Sequence, residues 1–181
     1  YFYSYFRLDK ENISFSVPTG NFGDVFAGYL AKQMGLPIDK LIVATNENDI
    51  LHRAISKGDY VSKEVKETLS PSMDIQLASN FERLIYYVNN SDSSKTAEIM
   101  KKVKQNSYQI EKNNLDIIQK DFLSERCNAK ETLDIIKKKY EENNIILDPH
   151  TAVGVGAVHK LSIHDCVVLS TAHPCKFPDA I

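Results

Sequence analysis

The sequence predicts an α/β fold built around a parallel β-sheet, and three observations carry that prediction. A β-prone run at residues 13–17 leads into a loop with two glycines, and Asp24 then opens the largely apolar run 25–34. The short, continuous apolar run 41–45 is typical of a strand buried on both faces. Strand, helix and strand within about thirty residues form a βαβ unit, whose two strands are parallel. The run 166–170 has the same character and predicts a further buried strand.

Helix boundaries follow from capping residues and helix breakers. Gly35 ends the first helix in the usual C′ position, and two capping-box patterns, at 79–82 and 128–131, open later helices. Asp148 is an N-cap residue followed by a proline in the first helical turn. In chain order the predicted helices are 24–34, 50–57, 80–88, 95–105, 129–142 and 151–161, with a loop at 59–75. No element is predicted for the polar, poorly periodic stretch 106–122.

Length, charge and cysteine content narrow the class of protein. The 181 residues, 43% of them hydrophobic, suit one ordinary domain or one domain plus a piece of another. A formal net charge of −2 gives no reason to expect nucleic acid or an anionic membrane as the partner. Three cysteines without a C-x-x-C pair, and no membrane-length apolar run or signal-peptide pattern, predict a cytoplasmic protein with free thiols. Both ends have the pattern of interrupted helices, so we expect a part of a longer protein.

The loop between the first strand and the first helix has the pattern of an anion site. Such a loop points backbone N–H groups and the positive end of a helix dipole at one spot, which binds phosphate. Gly20 and Gly23 are expected to take positive φ and let the backbone approach the anion, while Thr19 and Asn21 donate further hydrogen bonds. The G-x-x-G spacing differs from the dinucleotide fingerprint, and the sequence contains no P-loop pattern. An ordinary strand-to-helix turn remains the alternative.

Two more polar loops are predicted at the same edge of the sheet. In parallel α/β sheets ligands bind outside the carboxyl ends of the strands, and residues 45–49 and 170–173 both follow predicted strands. A hydroxyl from Thr171 or Ser170 would then meet the far side of a ligand whose phosphate lies in the first loop. A hydroxyl suits a neutral ring nitrogen, whereas a carboxylate would hold a pyridinium proton. The alternative for Thr171 is a cap on the next helix.

Several ionisable residues near these loops are open to more than one interpretation. Asp49 and Glu47 are substrate-side acids or simple helix caps, and the cap is the favoured interpretation. For His150 a cap or supporting role is favoured over catalysis, and for His173 a role in ordering its own loop. The remaining three histidines show no metal-ligand spacing, and no metal site is predicted.

Six short blocks, taken in order, form a pattern more specific than any one of them. They are 17–28 (V-P-T-G-N-F-G-D-V-F-A-G), 41–49 (L-I-V-A-T-N-E-N-D), 70–75 (S-P-S-M-D-I), 79–84 (S-N-F-E-R-L), 148–154 (D-P-H-T-A-V-G) and 170–177 (S-T-A-H-P-C-K-F). This set resembles threonine synthase, a pyridoxal-phosphate (PLP) enzyme of fold type II, and covers most of the chain outside residues 90–127. Cysteine synthases and tryptophan synthase subunits fit the blocks at 46–49 and 148–154 less well.

The resemblance implies both a fold and a reaction. The fold is a three-layer (αβα) domain of PLP fold type II, present in residues 1–181 as an incomplete, C-terminal portion. The reaction converts O-phospho-L-homoserine and water into L-threonine and inorganic phosphate, in threonine biosynthesis. In the family the G-N-F-G-D loop cradles the cofactor phosphate, and the hydroxyl of S-T-A-H-P faces the pyridine nitrogen. The residues carried over are Gly20, Asn21, Phe22, Gly23 and Asp24 for the phosphate and Thr171 for the nitrogen, with Ser170 less favoured.

The resemblance also implies that the catalytic lysine is absent from this chain. The family's Schiff-base lysine lies far upstream of the phosphate loop, and Lys176 lies after the S-T-A-H-P block instead. No catalytic residue is therefore expected here, and the chain alone is expected to be inactive. The alternative is a non-catalytic remnant that only folds, binds a phosphate or associates with another protein. The expected partners are the small-molecule substrate and either an N-terminal portion or a second copy of the chain, with neither nucleic acid nor a membrane.

Overall fold

The computed structural model describes residues 1–180 and shows a four-stranded, parallel sheet with helices on both faces. The strands are β1 (Ile13–Pro18), β2 (Ile38–Thr45), β3 (Phe122–Arg126) and β4 (Cys166–Val168), in the order β3-β2-β1-β4. The helices are α1 (Phe2–Arg7), α2 (Gly23–Gln33), α3 (Ile50–Lys57), α4 (Phe81–Val88), α5 (Ser93–Lys104), α6 (Lys112–Asp121), α7 (Ala129–Asn143) and α8 (Pro149–Leu161). Short 3₁₀ turns occur at Pro71–Met73, Pro174–Lys176 and Pro178–Ala180. The predicted βαβ unit is confirmed, because β1 and β2 pair in parallel on either side of α2 in sequence.

Alternation along the strands sends side chains into two separate cores. On one face, Phe15 of β1 and Leu41 of β2 pack with apolar residues of α2 to α6. On the other face, Ile42 packs with Val153 and Ala157 of α8, and α7 packs against α8. The architecture is therefore three layers, as the resemblance implies.

Helix α8 lies close to the sheet because glycine occupies a sheet-facing position. A methyl group built on Gly154 would come within 2.8 Å of Val168 Cγ1 and 3.2 Å of Pro18 Cγ. The carbonyl oxygen of Gly154 accepts a 2.8 Å hydrogen bond from the hydroxyl of Ser16, which is buried in the sheet. This bond satisfies a polar side chain inside the core and holds the first turns of α8 over β1.

All six helices predicted from the sequence are confirmed to within two residues at each end. The stretch 106–122, for which the sequence predicts no element, contains α6 and leads into β3. Helix α6 buries Leu115 and Ile118 together with Asn114, whose amide donates to Asn89, so its apolar stripe is short and interrupted. Strand β3 lies at an edge of the sheet and only Phe122 in it is fully buried. Neither element therefore has enough apolar residues for its period to be visible.

The prediction that the last strand is buried on both faces is wrong. Strand β4 pairs only with β1, at the other edge of the described sheet, and its three residues are half-buried. The capping box at 128–131 is confirmed, as is Asp148 as the N-cap of α8. The capping box at 79–82 is wrong, because α4 begins after Asn80 and has no side-chain cap.

Candidate functional site

The parallel register brings three predicted loops to one edge of the sheet. Pro18 of β1 lies opposite Ala44 of β2, and Ser16 lies opposite Val168 of β4. The N–H of Leu169 donates to the carbonyl oxygen of Ser16 at 2.9 Å, so the pairing of β4 with β1 continues one residue past Val168. The loops after β1, β2 and β4 therefore leave from neighbouring positions, as the sequence predicts.

The loop after β1 opens α2 with unpaired backbone donors. Phe22 is the N-cap of α2, with φ of 70°, and its side chain is completely buried. The N–H of Gly23 donates to Asn21 Oδ1 at 2.9 Å. Among residues 1–180, no acceptor is found for the main-chain N–H groups of Gly20, Asn21, Phe22 and Asp24. Free donors at the positive end of a helix are the basis of a phosphate site.

The prediction that Gly20 and Gly23 take positive φ is wrong. The left-handed residue is Phe22, whose ring packs against Phe81 inside the core. Gly20 is required for a different reason: a methyl group built there would lie 2.6 Å from the carbonyl oxygen of Ser72. The glycine therefore allows a close approach between two pieces of backbone rather than an unusual backbone angle.

Thr19 is not a free donor, contrary to the prediction. Its N–H donates to the carbonyl oxygen of Ala44 at 2.8 Å, and its hydroxyl donates to that of Val17 at 2.5 Å. Both groups serve the end of the strand. They anchor the base of the loop, so neither group is available to a ligand.

Asp24 offers an anion its main-chain N–H rather than its side chain. The hydroxyl of Tyr1 donates to the carbonyl oxygen of Asp24 at 2.9 Å and lies 3.1 Å from its carboxylate. Burial, reinforced by the negative charge of Asp24, raises the pKa of the Tyr1 phenol, so the hydroxyl stays protonated and donates. The carboxylate is thus partly compensated by Tyr1, while the N–H in the first turn of α2 stays available.

Thr171 lies exposed in the loop after β4, and its hydroxyl has no hydrogen-bond partner among the residues that the structure describes. The next turn is capped instead by His173, whose Nδ1 accepts from the N–H of Cys175 at 3.2 Å. The alternative in which Thr171 caps that turn is therefore wrong, and His173 orders its own loop as predicted. Ser170 differs from Thr171, because its hydroxyl oxygen lies 3.5 Å from that of Thr151.

The start of α4 forms a wall of the candidate phosphate loop (residues 19–24) that the sequence does not predict. The N–H and the side-chain Nδ2 of Asn80 both donate to the carbonyl oxygen of Asn21, at 3.0 and 3.2 Å. The side chain of Asn80 makes no cap bond to α4. The S-N-F-E-R-L block contains Asn80, and that block is the one sequence signal that points to this residue.

A buried polar cluster fixes the loop 59–75 beside the phosphate loop. Oδ1 of Asp74 accepts from Nδ2 of Asn46 at 2.7 Å and of Asn48 at 3.0 Å, and from the hydroxyl of Thr68 at 2.6 Å. The N–H of Thr68 donates to Oδ2 at 2.8 Å. The asparagines that follow β2 therefore hold a neighbouring segment in place instead of facing a ligand.

Asp49 is an ion-pair partner rather than a helix cap. Its side chain makes no cap bond to α3, although Asp49 is the N-cap residue by position. Its oxygens lie 2.9 Å from Nε of Arg53 and 3.0 Å from Nη1 of Arg126. Burial raises the pKa of Asp49, but the hydrogen bond and charge of Arg53 outweigh it and leave the pKa below its usual value. Glu47 is likewise no cap, and its carboxylate lies 3.7 Å from Nζ of Lys66.

Comparison with known proteins shows what this chain is similar to. A family model described as "Threonine synthase, C-terminal" matches residues 151–181. Threonine synthase of Saccharomyces cerevisiae is 48% identical over 206 residues, and that of Pseudomonas aeruginosa is 43% identical over 188, each covering all of this chain. Over its whole length the chain matches a C-terminal portion of threonine synthase. It spans 40% of the length of each of these two relatives.

Solved threonine synthases have the same fold. The PLP-bound enzyme from Brucella melitensis matches with a TM-score of 0.93 at 44% identity, over 98% of this chain and 40% of that one. The yeast enzyme matches with a TM-score of 0.92 at 45% identity, over 100% and 40%. A PLP-dependent aspartate racemase, with a TM-score of 0.55 at 11% identity, shares the fold alone. The resemblance and the fold class predicted from the sequence are confirmed.

Two further features concern metal and membrane. Within residues 1–180, no group of three or more His, Cys, Asp or Glu side chains is arranged to hold a metal ion. The helices of that same part of the chain are too short or too polar for any of them to cross a bilayer.

Proposed function

We propose that this chain is the cofactor-binding, C-terminal portion of the catalytic domain of a threonine synthase. The whole enzyme would convert O-phospho-L-homoserine and water into L-threonine and inorganic phosphate. The observation that carries the proposal is the set of unpaired N–H groups at Gly20, Asn21, Phe22 and Asp24. The domain covers residues 1–181, and the lysine that binds the cofactor covalently would lie in the additional length of the relatives.

The chemistry of the phosphate loop fits the phosphate of PLP. A dianion accepts hydrogen bonds only, and every free group in this loop is a main-chain donor at the start of a helix. Hydrogen bonds to a charged group contribute about 1.5–3 kcal/mol each, so three or four of them hold a phosphate without a basic side chain. The Gly23 N–H, which donates to Asn21, keeps the loop in shape rather than binding the anion itself.

Thr171 is our candidate partner for the pyridine nitrogen. Its hydroxyl is free in the loop that leaves the sheet next to the phosphate loop. A hydroxyl donates a hydrogen bond to a neutral nitrogen, whereas a carboxylate in its place would stabilise the protonated ring. When bound, PLP would supply the electron sink that delocalises the electron pairs left behind when the substrate loses its protons. The residues of this chain would hold the phosphate, orient the ring and keep its nitrogen neutral.

Partners and compartment follow from the same proposal. The partner would be a phosphorylated amino-acid substrate, and the chain would act together with an N-terminal portion or a second copy of itself. We place the reaction in the cytoplasm, which the three free thiols Cys127, Cys166 and Cys175 support.

A titration of the purified chain followed by ¹H–¹⁵N NMR tests the phosphate contacts. PLP and inorganic phosphate should both shift the amide resonances of Gly20, Asn21, Phe22 and Asp24. Pyridoxal, which lacks the phosphate, should shift them much less. PLP that binds without moving these resonances would contradict the proposed loop. Equal affinity for PLP and inorganic phosphate would favour the alternative, a fragment that binds phosphate without recognising the ring.

Two assays test the missing lysine. With O-phospho-L-homoserine and PLP, the chain alone should release no phosphate, while the full-length yeast enzyme serves as the positive control. Borohydride treatment of the chain with PLP, followed by peptide mass spectrometry, should show no preferred lysine. A single lysine labelled in stoichiometric amount within residues 1–181 would overturn the assignment of that residue to another part of the enzyme.

A further inference from the structure

A buried acid–imidazole pair lies at the start of α8. Asp148 and His150 are 1% and 3% exposed, and Oδ1 of Asp148 lies 3.1 Å from Nδ1 of His150. The carboxylate also accepts from the main-chain N–H groups of His150 and Thr151, at 2.9 and 3.3 Å, and from the hydroxyl of Thr151. Burial raises the pKa of Asp148, but the hydrogen bonds from His150 and Thr151 outweigh it and lower the pKa overall. Asp148 is therefore an anion and accepts at every contact.

The second ring nitrogen of His150 reaches the segment beside the phosphate loop. The main-chain N–H of Ser72 lies 3.4 Å from Nε2 of His150 and donates to it. A main-chain N–H can only donate, so Nε2 must accept and carries no proton. The proton of the neutral ring is then on Nδ1, where it is donated to Asp148. Both neighbours therefore demand the same tautomer and the same orientation of the ring.

Ser72 lies between His150 and the phosphate loop. Its N–H is bound to the imidazole, and its carbonyl oxygen occupies the space that a methyl group on Gly20 would need. Any shift of Ser72 away from His150 therefore changes the wall against which Gly20 packs. The other end of Ser72's segment is held by Asp74 in the polar cluster, so the segment is fixed from two sides.

The same turn of α8 also contacts the loop that carries Thr171. The ring of Phe177, which follows that loop, packs on the ring of His150 with centroids 4.9 Å apart. The hydroxyl oxygen of Thr151 lies 3.5 Å from that of Ser170. One helical turn thus touches both the segment behind the phosphate loop and the residues on either side of Thr171.

We propose that His150 is a positioning residue that sets the spacing between the phosphate loop and the loop of Thr171. It acts through Ser72 on one side and through Phe177 on the other. The proposal rests on the proposed function, since it gives these two loops the phosphate and the ring of PLP. It goes beyond that function in assigning the relative placement of the two loops to a residue that binds neither group.

Two substitutions separate this role from a purely local one at the start of α8. In His150→Gln the side-chain oxygen can replace Nε2 as acceptor for Ser72, while the donor to Asp148 is lost. In His150→Asn the side-chain amide can replace the Nδ1 donor to Asp148, while the acceptor for Ser72 is lost. His159→Asn is the matched control, because His159 is exposed near the end of the same helix.

Three measurements on the purified chain decide the proposal. Long-range ¹H–¹⁵N correlation should show His150 of the unmodified chain protonated at Nδ1 only. His150→Asn should speed hydrogen exchange at the Ser72 amide and weaken PLP affinity, each about fivefold, the effect of one ordinary hydrogen bond. His150→Gln should stay within about twofold of the unmodified chain in both, as should His159→Asn.

Two results would contradict the positioning role of His150. A proton on Nε2, or an Asn variant no weaker than the Gln variant, would overturn the positioning role. The tautomer is measured on the unmodified chain, so this measurement tests the positioning role even if a variant fails to fold. Failure of the unmodified chain to bind PLP would instead contradict the proposed function, and the tautomer and Ser72 exchange would still decide whether His150 holds that segment.

Discussion

The ring of Phe22 packs edge to face against the ring of Phe81, with centroids 5.0 Å apart and an interplanar angle of 85°. Phe22 is the N-cap of α2 and Phe81 is the first residue of α4, so the contact joins two helix starts beside the candidate site. A bulky residue rarely adopts the φ of 70° found at Phe22. Complete burial of its ring offsets that strain, and the phosphate loop is thereby anchored in the core.

Replacement of Phe22 by alanine should therefore destabilise the whole domain. We expect Phe22→Ala to lower the free energy of unfolding by about 3–5 kcal/mol, as for other large core residues. Urea denaturation followed by circular dichroism measures the change. Phe6→Ala is the control, because Phe6 is 75% exposed and its loss should cost within about 0.5 kcal/mol. Equal effects of the two changes would contradict the anchoring role of Phe22.

Gly20→Ala should damage phosphate binding more than stability. The added methyl group meets the carbonyl oxygen of Ser72, and relief of that contact should cost about 1–3 kcal/mol. Displacement of the loop should lose at least one charged hydrogen bond, hence about tenfold in affinity for inorganic phosphate. Gly35→Ala is the comparison, since Gly35 has open space but φ of 100° and should lose about 1 kcal/mol of stability alone. Isothermal calorimetry that finds unchanged phosphate affinity in Gly20→Ala would count against the site.

Thr171→Val should weaken the binding of PLP without weakening the binding of phosphate. The substitution keeps the shape of the side chain and removes its hydroxyl, so PLP affinity should fall about three- to tenfold. Affinity for inorganic phosphate should stay the same, because the phosphate loop is untouched. Ser94→Ala, an exposed change on α5, provides the control. A parallel loss of phosphate affinity in Thr171→Val would show that the hydroxyl acts elsewhere than at the ring.

The ion pairs of Arg53 should make stability depend on acid pH. The guanidinium of Arg53 contacts Asp49 and Asp59 and donates to the carbonyl oxygen of Val61 at 2.7 Å, and it is 6% exposed. Asp49 has its pKa below the usual value in the folded chain, so its contribution is fully present above the pKa of the unfolded carboxyl. That contribution should be lost as the pH falls below about 4, measured as unfolding free energy against pH.

Arg53→Met tests the same ion pairs by removing the guanidinium rather than the charge of the carboxylates. Removal of the buried guanidinium leaves Asp59 without its ion pair and Asp49 with Arg126 alone, and should cost about 3–5 kcal/mol at neutral pH. The loss of stability on acidification should then be shallower than in the unmodified chain. Lys112→Met breaks the exposed pair with Asp116 and should cost no more than about 0.5 kcal/mol. An unchanged acid profile in Arg53→Met would exclude Asp49 as its source.

The three thiols should react in an order set by burial. Burial raises the pKa of Cys127 to about 11 and that of Cys166 to about 11, whereas Cys175 is exposed. A pKa two units above the ordinary value leaves about a hundredfold less thiolate. Iodoacetamide at pH 8, followed by peptide mass spectrometry, should therefore label Cys175 first. Labelling of Cys127 at the rate of Cys175 would show that the α8 face of the sheet opens readily.

Particular residues show which features of this protein can be predicted from the sequence and which cannot. The helix that starts at Asn128 was predictable because its cap and its capping partner, Glu131, are three residues apart. The wall formed by Asn80 was not, because its acceptor, Asn21, lies 59 positions away in the chain. The phosphate loop was predictable as a loop, but its left-handed residue was assigned to glycine. In the structure Phe22 adopts the left-handed conformation instead, because the packed core buries its ring.

The sequence alone determined the βαβ unit, the helices with local caps and the likeness to threonine synthase, since these depend on neighbouring residues and their order. The tertiary structure decided which polar groups are occupied and which are free: Thr19 bonds to its own strand, whereas the hydroxyl of Thr171 has no partner in the described residues. It also brought Nε2 of His150 to the main-chain N–H of Ser72, 78 positions away in the chain. A hydrogen bond depends on distance in space, and only the packing of α8 against the sheet brings such groups within reach.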